Sequence, residues 1–186
     1  MRPDGPGVDS AGPVLGDRWT DRGFLRDVQY RTDSNLVARQ SIYAYQHPRI
    51  DLPARVLDLA APAPDETVAD VGCGNGAYLT ELTRRGFVGR VVGMDLSTGM
   101  LTAARDRLRA EHGPGTVGAA DRVALLAADA TGLPLPDGTA DLTLAMHMLY
   151  HVADPSLALR ELRRVTRPGG RVVIVLNGLD HLAELR

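Results

Sequence analysis

From Asp65 onward the sequence repeats one rhythm: a short β-rich apolar run breaks into a polar or glycine-rich turn, and a helical run follows. Thr67 to Val71, Arg90 to Asp95, Val123 to Ala128, Asp141 to Met146 and Arg171 to Leu176 read as strands. Ala77 to Arg85, Thr98 to Glu111 and Asp154 to Val165 read as helices. Strands alternating with helices pair in parallel, because each crossover helix returns the chain to the same end of the sheet, and the helices then cover both faces. The expected fold class is therefore α/β, a doubly wound sheet in three α/β/α layers. In such a sheet a ligand lies beyond the carboxyl ends of the strands, where strand order reverses. The residues just after each strand are the ones to read for function.

Ahead of this core, residues 1–32 are expected to form a largely irregular leader, since Met1 to Gly16 is rich in Gly, Pro and Asp and has no apolar period. Residues 33–61 read as an N-terminal helical layer. Ser34 or Asn35 can cap one helix, with Leu36, Val37, Ile42 and Tyr43 at helical spacing up to Pro48. A second, Leu52 to Ala60, precedes Pro62 and Pro64. The core occupies 65–186, with His112 to Asp121 as a loop. A length of 186 residues suits one domain and one site. No apolar run approaches the ~20 residues that span a bilayer, so a membrane partner is not expected. A net charge of -2 gives no basic surplus for nucleic acid. The N-terminus lacks a secretory pattern, and a cytoplasmic location is expected. Cys73 is the lone cysteine, so no internal disulfide forms, and between two glycines it reads as a small packed residue rather than a nucleophile.

The run Val68-Ala69-Asp70-Val71-Gly72-Cys73-Gly74-Asn75-Gly76 joins an apolar strand to three alternate glycines directly before a helix. Glycines let the backbone turn sharply and approach a ligand, and the helix N-terminus offers amide donors. A dinucleotide fingerprint, G-x-G-x-x-G, is the rival pattern, and Ala77 allows its G-x-G-x-x-A form, so the glycines alone leave both open. Asp70, two residues before the first glycine, favours an acid-led motif. This run closely resembles the first motif of class I S-adenosylmethionine-dependent methyltransferases, in their type 11, UbiE-like branch, and the resemblance continues to Leu176. It implies a Rossmann-like core, S-adenosyl-L-methionine as cofactor and a small-molecule methyl acceptor. It also implies that Asp70, Gly72, Cys73, Gly74 and Gly76 surround the cofactor.

The second strand ends at Asp95, followed by Leu96 and Ser97. A carboxylate there can accept both hydroxyls of a ribose, in adenosylmethionine or in NAD, or it can cap the next helix. The resemblance implies the ribose role, with Leu96 and Met100 flanking the adenine. The third strand ends at Asp129, which by the same resemblance accepts the adenine amino group while the amide of Ala130 donates to a ring nitrogen. Leu133-Pro134-Leu135-Pro136-Asp137-Gly138-Thr139-Ala140-Asp141 is similar to the family's L-P-F-P-D-x-x-F-D signature, which has no counterpart in dehydrogenases. Ala140 replaces its usual aromatic and should thin the local packing.

Met146 to Val152 resembles the family segment after strand four, which lies against the methionine portion and opens toward the substrate. His147 then belongs with the cofactor, while Tyr150 and His151 are candidates for deprotonating or orienting the acceptor; a packed imidazole is the other reading of His151. His147 and His151 have the four-residue spacing of a helical metal pair, but no third ligand is in view and no metal is expected. In the helix Asp154 to Val165, Leu159, Leu162 and Val165 read as the apolar stripe, with Arg160, Glu161, Arg163 and Arg164 solvated. Arg167-Pro168-Gly169-Gly170-Arg171 reads as the turn into strand five. Gln29-Tyr30-Arg31, Asn35-Leu36 and Ala38-Arg39 resemble a leader that lids the cofactor in bacterial relatives. Arg39 either clamps the methionine carboxylate or is a surface arginine. Family members continue past strand five, so the core is expected to be truncated there, with an unpaired edge open to homo-oligomers. The expected chemistry is in-line methyl transfer, needing a base only for a protonated acceptor. A nicotinamide oxidoreductase and a non-catalytic adenosylmethionine-binding module are the alternatives.

Overall fold

A computed structural model describes residues 18–112 and 122–178. The start of the expected leader, most of the loop after His112 and residues 179–186 lie outside them. Five strands, β1 (Thr67–Val71), β2 (Arg90–Asp95), β3 (Val123–Ala127), β4 (Ala140–Met146) and β5 (Thr166–Val175), form one sheet in the order β3-β2-β1-β4-β5. Every pairing is parallel. The expected Rossmann-like doubly wound sheet is thus present, and strand order reverses between β1 and β4, so a crevice opens beyond the ends of these two strands.

Two apolar clusters follow from the two-residue period of the strands. Val68, Leu142 and Leu144 pack with Leu79 and Leu82 of α3 (Ala77–Arg84), Leu57 of α2 (Leu52–Ala60) and Leu101 of α4 (Thr98–His112). Ala69, Val71, Met94 and Ala145 face the other side, against Ala158, Leu162 and Val165 of α5 (Pro155–Val165). Burying each large aliphatic side chain in these layers contributes about 1.5–3 kcal/mol. Asp51 caps α2 by accepting from the Ala54 amide at 3.0 Å, and Ala61 ends it in a left-handed conformation.

Several local expectations need correction. In α5 the buried stripe is Ala158, Leu162 and Val165, spaced by four and then three residues, whereas Leu159 is one position further round and faces solvent. Arg164 and Glu161 are not a solvated pair. Arg164 donates to the carbonyls of Leu133 and Leu135 at 2.9 and 2.7 Å, and Glu161 accepts from the Leu133 amide at 2.7 Å, so the pair pins the Leu-Pro-Leu-Pro segment to α5. Ala140, at the position where the resemblance has an aromatic, is fully buried in the α5-side cluster, which leaves the expectation of thinner packing there untouched. β5 starts at Thr166 rather than Arg171. Thr166 pairs with Ala140 and Arg171 with Leu142, so the Arg-Pro-Gly-Gly turn is an irregularity inside the strand. Arg171 then donates to the carbonyls of Ala60 and Ala61 and pairs with Glu66, tying the end of α2 to the sheet.

The N-terminal layer holds α1 (Ser34–Gln40), a 3-10 turn (Ser41–Tyr45) and α2. Neither Ser34 nor Asn35 caps α1: Ser34 is already helical and Asn35 donates to the Gln29 carbonyl at 3.0 Å. Part of the expected leader is helical, with one α turn at Arg22–Phe24 running into a π turn at Leu25–Gln29. Leu25 is buried there, and Asp21 accepts from the Phe24 amide at 2.6 Å.

Gly76 starts α3 with φ of +75°, and a Cβ on it would lie 2.9 Å from the Cβ of Ala104 on α4. Gly76→Ala is expected to cost about 2–4 kcal/mol through left-handed strain and overpacking, read as a lowered urea midpoint at unchanged slope.

Candidate functional site

The turn after β1 is held by its neighbour strand. Gly72 and Cys73 both donate their amides to the Met94 carbonyl, at 2.7 and 2.9 Å, and Gly74 donates to Asp95 Oδ2 at 2.9 Å. Gly72 has φ of +72°, and a Cβ on it would stand 2.7 Å from Met148 Cβ, so only glycine lets β1 turn beneath the segment after β4. Asp95 Oδ1 accepts from the Ser97 amide at 2.8 Å. Ser97 Oγ accepts from the Met100 amide at 3.2 Å and so caps α4 itself. Two of about four acceptor positions on the Asp95 carboxylate are thereby filled, and two are left. Burial pushes the Asp95 carboxyl up, against the pull of these two amides.

Beyond the strand ends lies a cavity of about 900 Å³. The glycine turn lends it Gly72, Cys73 and Gly74, and the end of β2 adds Asp95, Leu96 and Met100. Asp129 and Ala130 come from the end of β3, His147, Tyr150 and His151 follow β4, and Arg39 reaches in from α1. Two expected residues are not in the wall. Gly76 lies against α4, as described above. Asp70 is completely buried within β1, on the side of Val68, and neither of its side-chain oxygens has a hydrogen-bond partner. Burial first and the charge of Asp95 second push its pKa up to about 7. Burial likewise lifts the Cys73 thiol well above its usual range, which leaves it an unreactive packed group.

At the end of β3, Asp129 Oδ1 accepts from the amide and hydroxyl of Thr131, at 2.8 and 2.7 Å. Its Oδ2 pairs with Arg22 Nε at 2.8 Å. Sequence reasoning missed Arg22, because it sits in the segment read as leader. Past β4, His147 has φ of +53°, a left-handed conformation that costs a non-glycine residue about 1–2 kcal/mol, and its amide is tied to the Val175 carbonyl at 2.8 Å. A 3-10 turn follows at Leu149–His151. His147 and His151 therefore do not share a helix face, and among the described residues no three His, Cys, Asp or Glu side chains group as metal ligands.

The His151 ring is engaged at both nitrogens. Nδ1 lies 3.1 Å from the Trp19 carbonyl and Nε2 lies 2.8 Å from the Tyr30 hydroxyl. A carbonyl only accepts, so Nδ1 carries the proton and Nε2 accepts from Tyr30. Burial holds the His151 pKa below its usual value, with Arg39 adding to the effect and the Trp19 carbonyl opposing it. Arg39 in turn donates to the Tyr30 hydroxyl, and its guanidinium stands 5.5 Å from the centre of the Tyr30 ring. Tyr150 packs its ring 4.5 Å from that of His151 and is 40% exposed. Burial raises the Tyr150 hydroxyl pKa.

The model of the methyltransferase domain family matches residues 69–174 of the chain. Malonyl-[acyl-carrier protein] O-methyltransferase from Serratia marcescens is 34% identical over 135 residues, covering 73% of this chain and 48% of that protein. Demethylmenaquinone methyltransferase from Corynebacterium kroppenstedtii is 36% identical over 113 residues, covering 61% and 42%. The chain thus spans less than half the length of either relative. Among solved structures it is similar to geranyl diphosphate methyltransferase in complex with GPP and sinefungin, with TM-score 0.56, 26% identity, and coverage of 66% of this chain and 42% of that one. It is also similar to the [4+2]-cyclase SpnF, with TM-score 0.58, 29% identity, and coverage of 66% and 43%.

A carboxyl whose folded pKa is about 7 against an ordinary 3.8 is protonated in the folded chain at low pH and costs free energy to ionise. That cost is absent below about pH 4, grows through the interval and is complete above pH 7. Asp70→Asn is therefore expected to stabilise the protein at pH 8 by up to about 4 kcal/mol and to change little at pH 4, as read by thermal unfolding at the two pH values.

Proposed function

Since the chain belongs to the methyltransferase domain family, we propose that it binds S-adenosyl-L-methionine across the ends of β1, β2 and β3 and transfers the methyl group to a small-molecule acceptor. The observation that carries this reading is the fate of the glycine-turn amides. Those of Gly72, Cys73, Gly74 and Gly76 are all spent on the protein's own carbonyls and on Asp95. A pyrophosphate needs such amides free, and it would also sit above the buried Asp70 carboxyl. A ligand with donors and positive charge meets what the end of β2 beside this turn offers, namely the Asp95 carboxylate. This weighs against the nicotinamide oxidoreductase.

The residues present fit the cofactor group by group. The two acceptor positions left on Asp95 suit the ribose hydroxyls. Asp129, with three positions filled by Thr131 and Arg22, has about one left for the adenine amino group. Ala130 lies next to it for a ring nitrogen, and Leu96 and Met100 supply apolar flanks. Arg39 retains donors beyond the one given to Tyr30, enough for the methionine carboxylate, and His147 stands at the same end. Gly72, Cys73 and Gly74 keep the floor low, Gly76 sets the angle of α3, and Asp70 contributes charge from below. When bound, the cofactor supplies an electrophilic methyl on a sulfonium. The chain has to orient the acceptor, exclude water and take up any proton released. Tyr150 and His151 are the strand-four residues on the acceptor side. Self-association through β5 belongs to the same proposal, since among the described residues β5 is an outer strand of the sheet and its Ile174 is exposed.

Calorimetric titration with adenosylhomocysteine tests the reading. Binding in the micromolar range is expected, weakened about 10- to 150-fold in Asp95→Ala by loss of charge-assisted hydrogen bonds. NADH is expected to give no heat. Saturable NADH binding without adenosylhomocysteine binding would reverse the assignment.

A further inference from the structure

The Tyr30 hydroxyl lies between a cation and a neutral imidazole inside the cavity wall. It donates to His151 Nε2 at 2.8 Å and accepts from Arg39. His151 is fixed in this tautomer by the Trp19 carbonyl, so its only basic nitrogen is covered by Tyr30. Both side chains line the cavity, so an acceptor molecule there meets His151 Nε2 only by way of the Tyr30 oxygen. That oxygen has two lone pairs, of which Arg39 takes one.

Three rings line up along this part of the wall. Tyr30 and Tyr150 stand edge-on to His151, with centroids 5.4 and 4.5 Å away. Edge-to-face arrays of this kind accept another flat ring at low cost in ordering. Proton transfer is most effective between groups of similar acidity, and although burial raises the Tyr30 hydroxyl pKa above its ordinary value, a phenol or enol lies nearer to it than an alkyl alcohol does. Two charged groups bear on Tyr30 besides its burial: Arg39 favours its ionised form and Asp95 opposes it.

We infer that Tyr30 is the residue that contacts the methyl acceptor, that the acceptor is a phenol or enol, and that Tyr30 passes the acceptor's proton to His151. This rests on the methyltransferase reading above. The acceptor O–H bond breaks as its oxygen takes the methyl group. Its proton goes to Tyr30 Oη, and the Tyr30 proton goes to His151 Nε2. The products are an aryl or enol methyl ether, a neutral thioether and an imidazolium, so the positive charge of the sulfonium ends on His151. Arg39 steadies the negative charge that passes through the Tyr30 oxygen. Arg39 and Trp19 act as positioning residues in this scheme.

4-Nitrophenol gives a test that needs no turnover, because its ionised form is coloured. Titrated over pH in the presence of the full chain saturated with adenosylhomocysteine, bound 4-nitrophenol is expected to ionise about tenfold more readily than in free solution. Tyr30→Phe is expected to abolish that shift. Nitrogen NMR of histidine-labelled protein gives a second readout: the His151 Nε2 resonance, assigned with His151→Asn, is expected to be unprotonated and to move in Tyr30→Phe. Either an unshifted 4-nitrophenol titration in the native chain or a protonated Nε2 overturns the inference. Calorimetry on the same samples separates the outcomes. Adenosylhomocysteine binding with an unshifted titration removes this inference alone, whereas absence of that binding removes the proposed function beneath it.

Discussion

The carbonyl of Met94 accepts two amides from the neighbouring turn, those of Gly72 and Cys73, and the site follows from this. A parallel sheet brings the carboxyl ends of β1, β2 and β3 to one edge, but proximity alone does not say what that edge presents. By folding the β1 turn down onto β2, the two hydrogen bonds bring Gly74 within reach of the Asp95 carboxylate and occupy the amides of Gly72 and Cys73. The glycine amides at this edge are thereby turned toward the protein's own oxygens, and the Asp95 carboxylate is held beside them.

The N-terminal segment exchanges hydrogen bonds with the core in both directions. Arg22 reaches Asp129 at the end of β3, the Tyr30 carbonyl receives Ser97 Oγ at 2.6 Å beside the end of β2, and the Tyr30 hydroxyl meets His151 beyond β4. Three separate strand ends are thus tied to one stretch of chain. Its apolar anchoring is slight by comparison: Leu25 is buried, while Val28, Val37 and Tyr43 are largely exposed. Segments held by polar tethers with few buried apolar contacts open at lower free energy than the core they cover. The wall that carries Arg39 and Tyr30 therefore depends on polar tethers, whereas the wall that carries Asp95 and Asp129 is part of the packed sheet.

What the sequence made legible was set by how local each cause is. Strand positions and the residues at strand ends follow from a two-residue period and the turns that end it, and β1, β2 and β4 fall within a residue of where the pattern puts them. The stripe on α5 was misread because Leu159 looks more like a core residue than Ala158. The facing strands leave room for the smaller side chain and fix which of the two turns inward. The start of β5 was hidden because a proline and two glycines read as a stop, whereas pairing of Thr166 with Ala140 carries the strand through them. Arg22, and the contact of Tyr30 with His151, lie beyond the reach of local pattern for a different reason, although the resemblance already places Tyr30 in a segment over the cofactor. Their partners lie more than a hundred residues away, and nothing in their neighbours' spacing records it.

Asp70 poses the remaining physical question, since a buried carboxyl with no hydrogen-bond partner is a feature that stability alone disfavours. At neutral pH the chain carries part of the cost of its ionisation, and among the described residues no hydrogen bond offsets it. A bound cation above the glycine turn would. By linkage, whatever favours the ionised form of Asp70 is itself bound more tightly where Asp70 is ionised, so a positively charged ligand and a proton compete for the same carboxyl. A neutral thioether left after the charge has moved elsewhere would lose that attraction. On the proposed reading, Asp70, which weakens the fold as it ionises, would favour a cationic ligand over a neutral product through charge alone, whereas Asp95 and Asp129 would hold either one by hydrogen bonds as well.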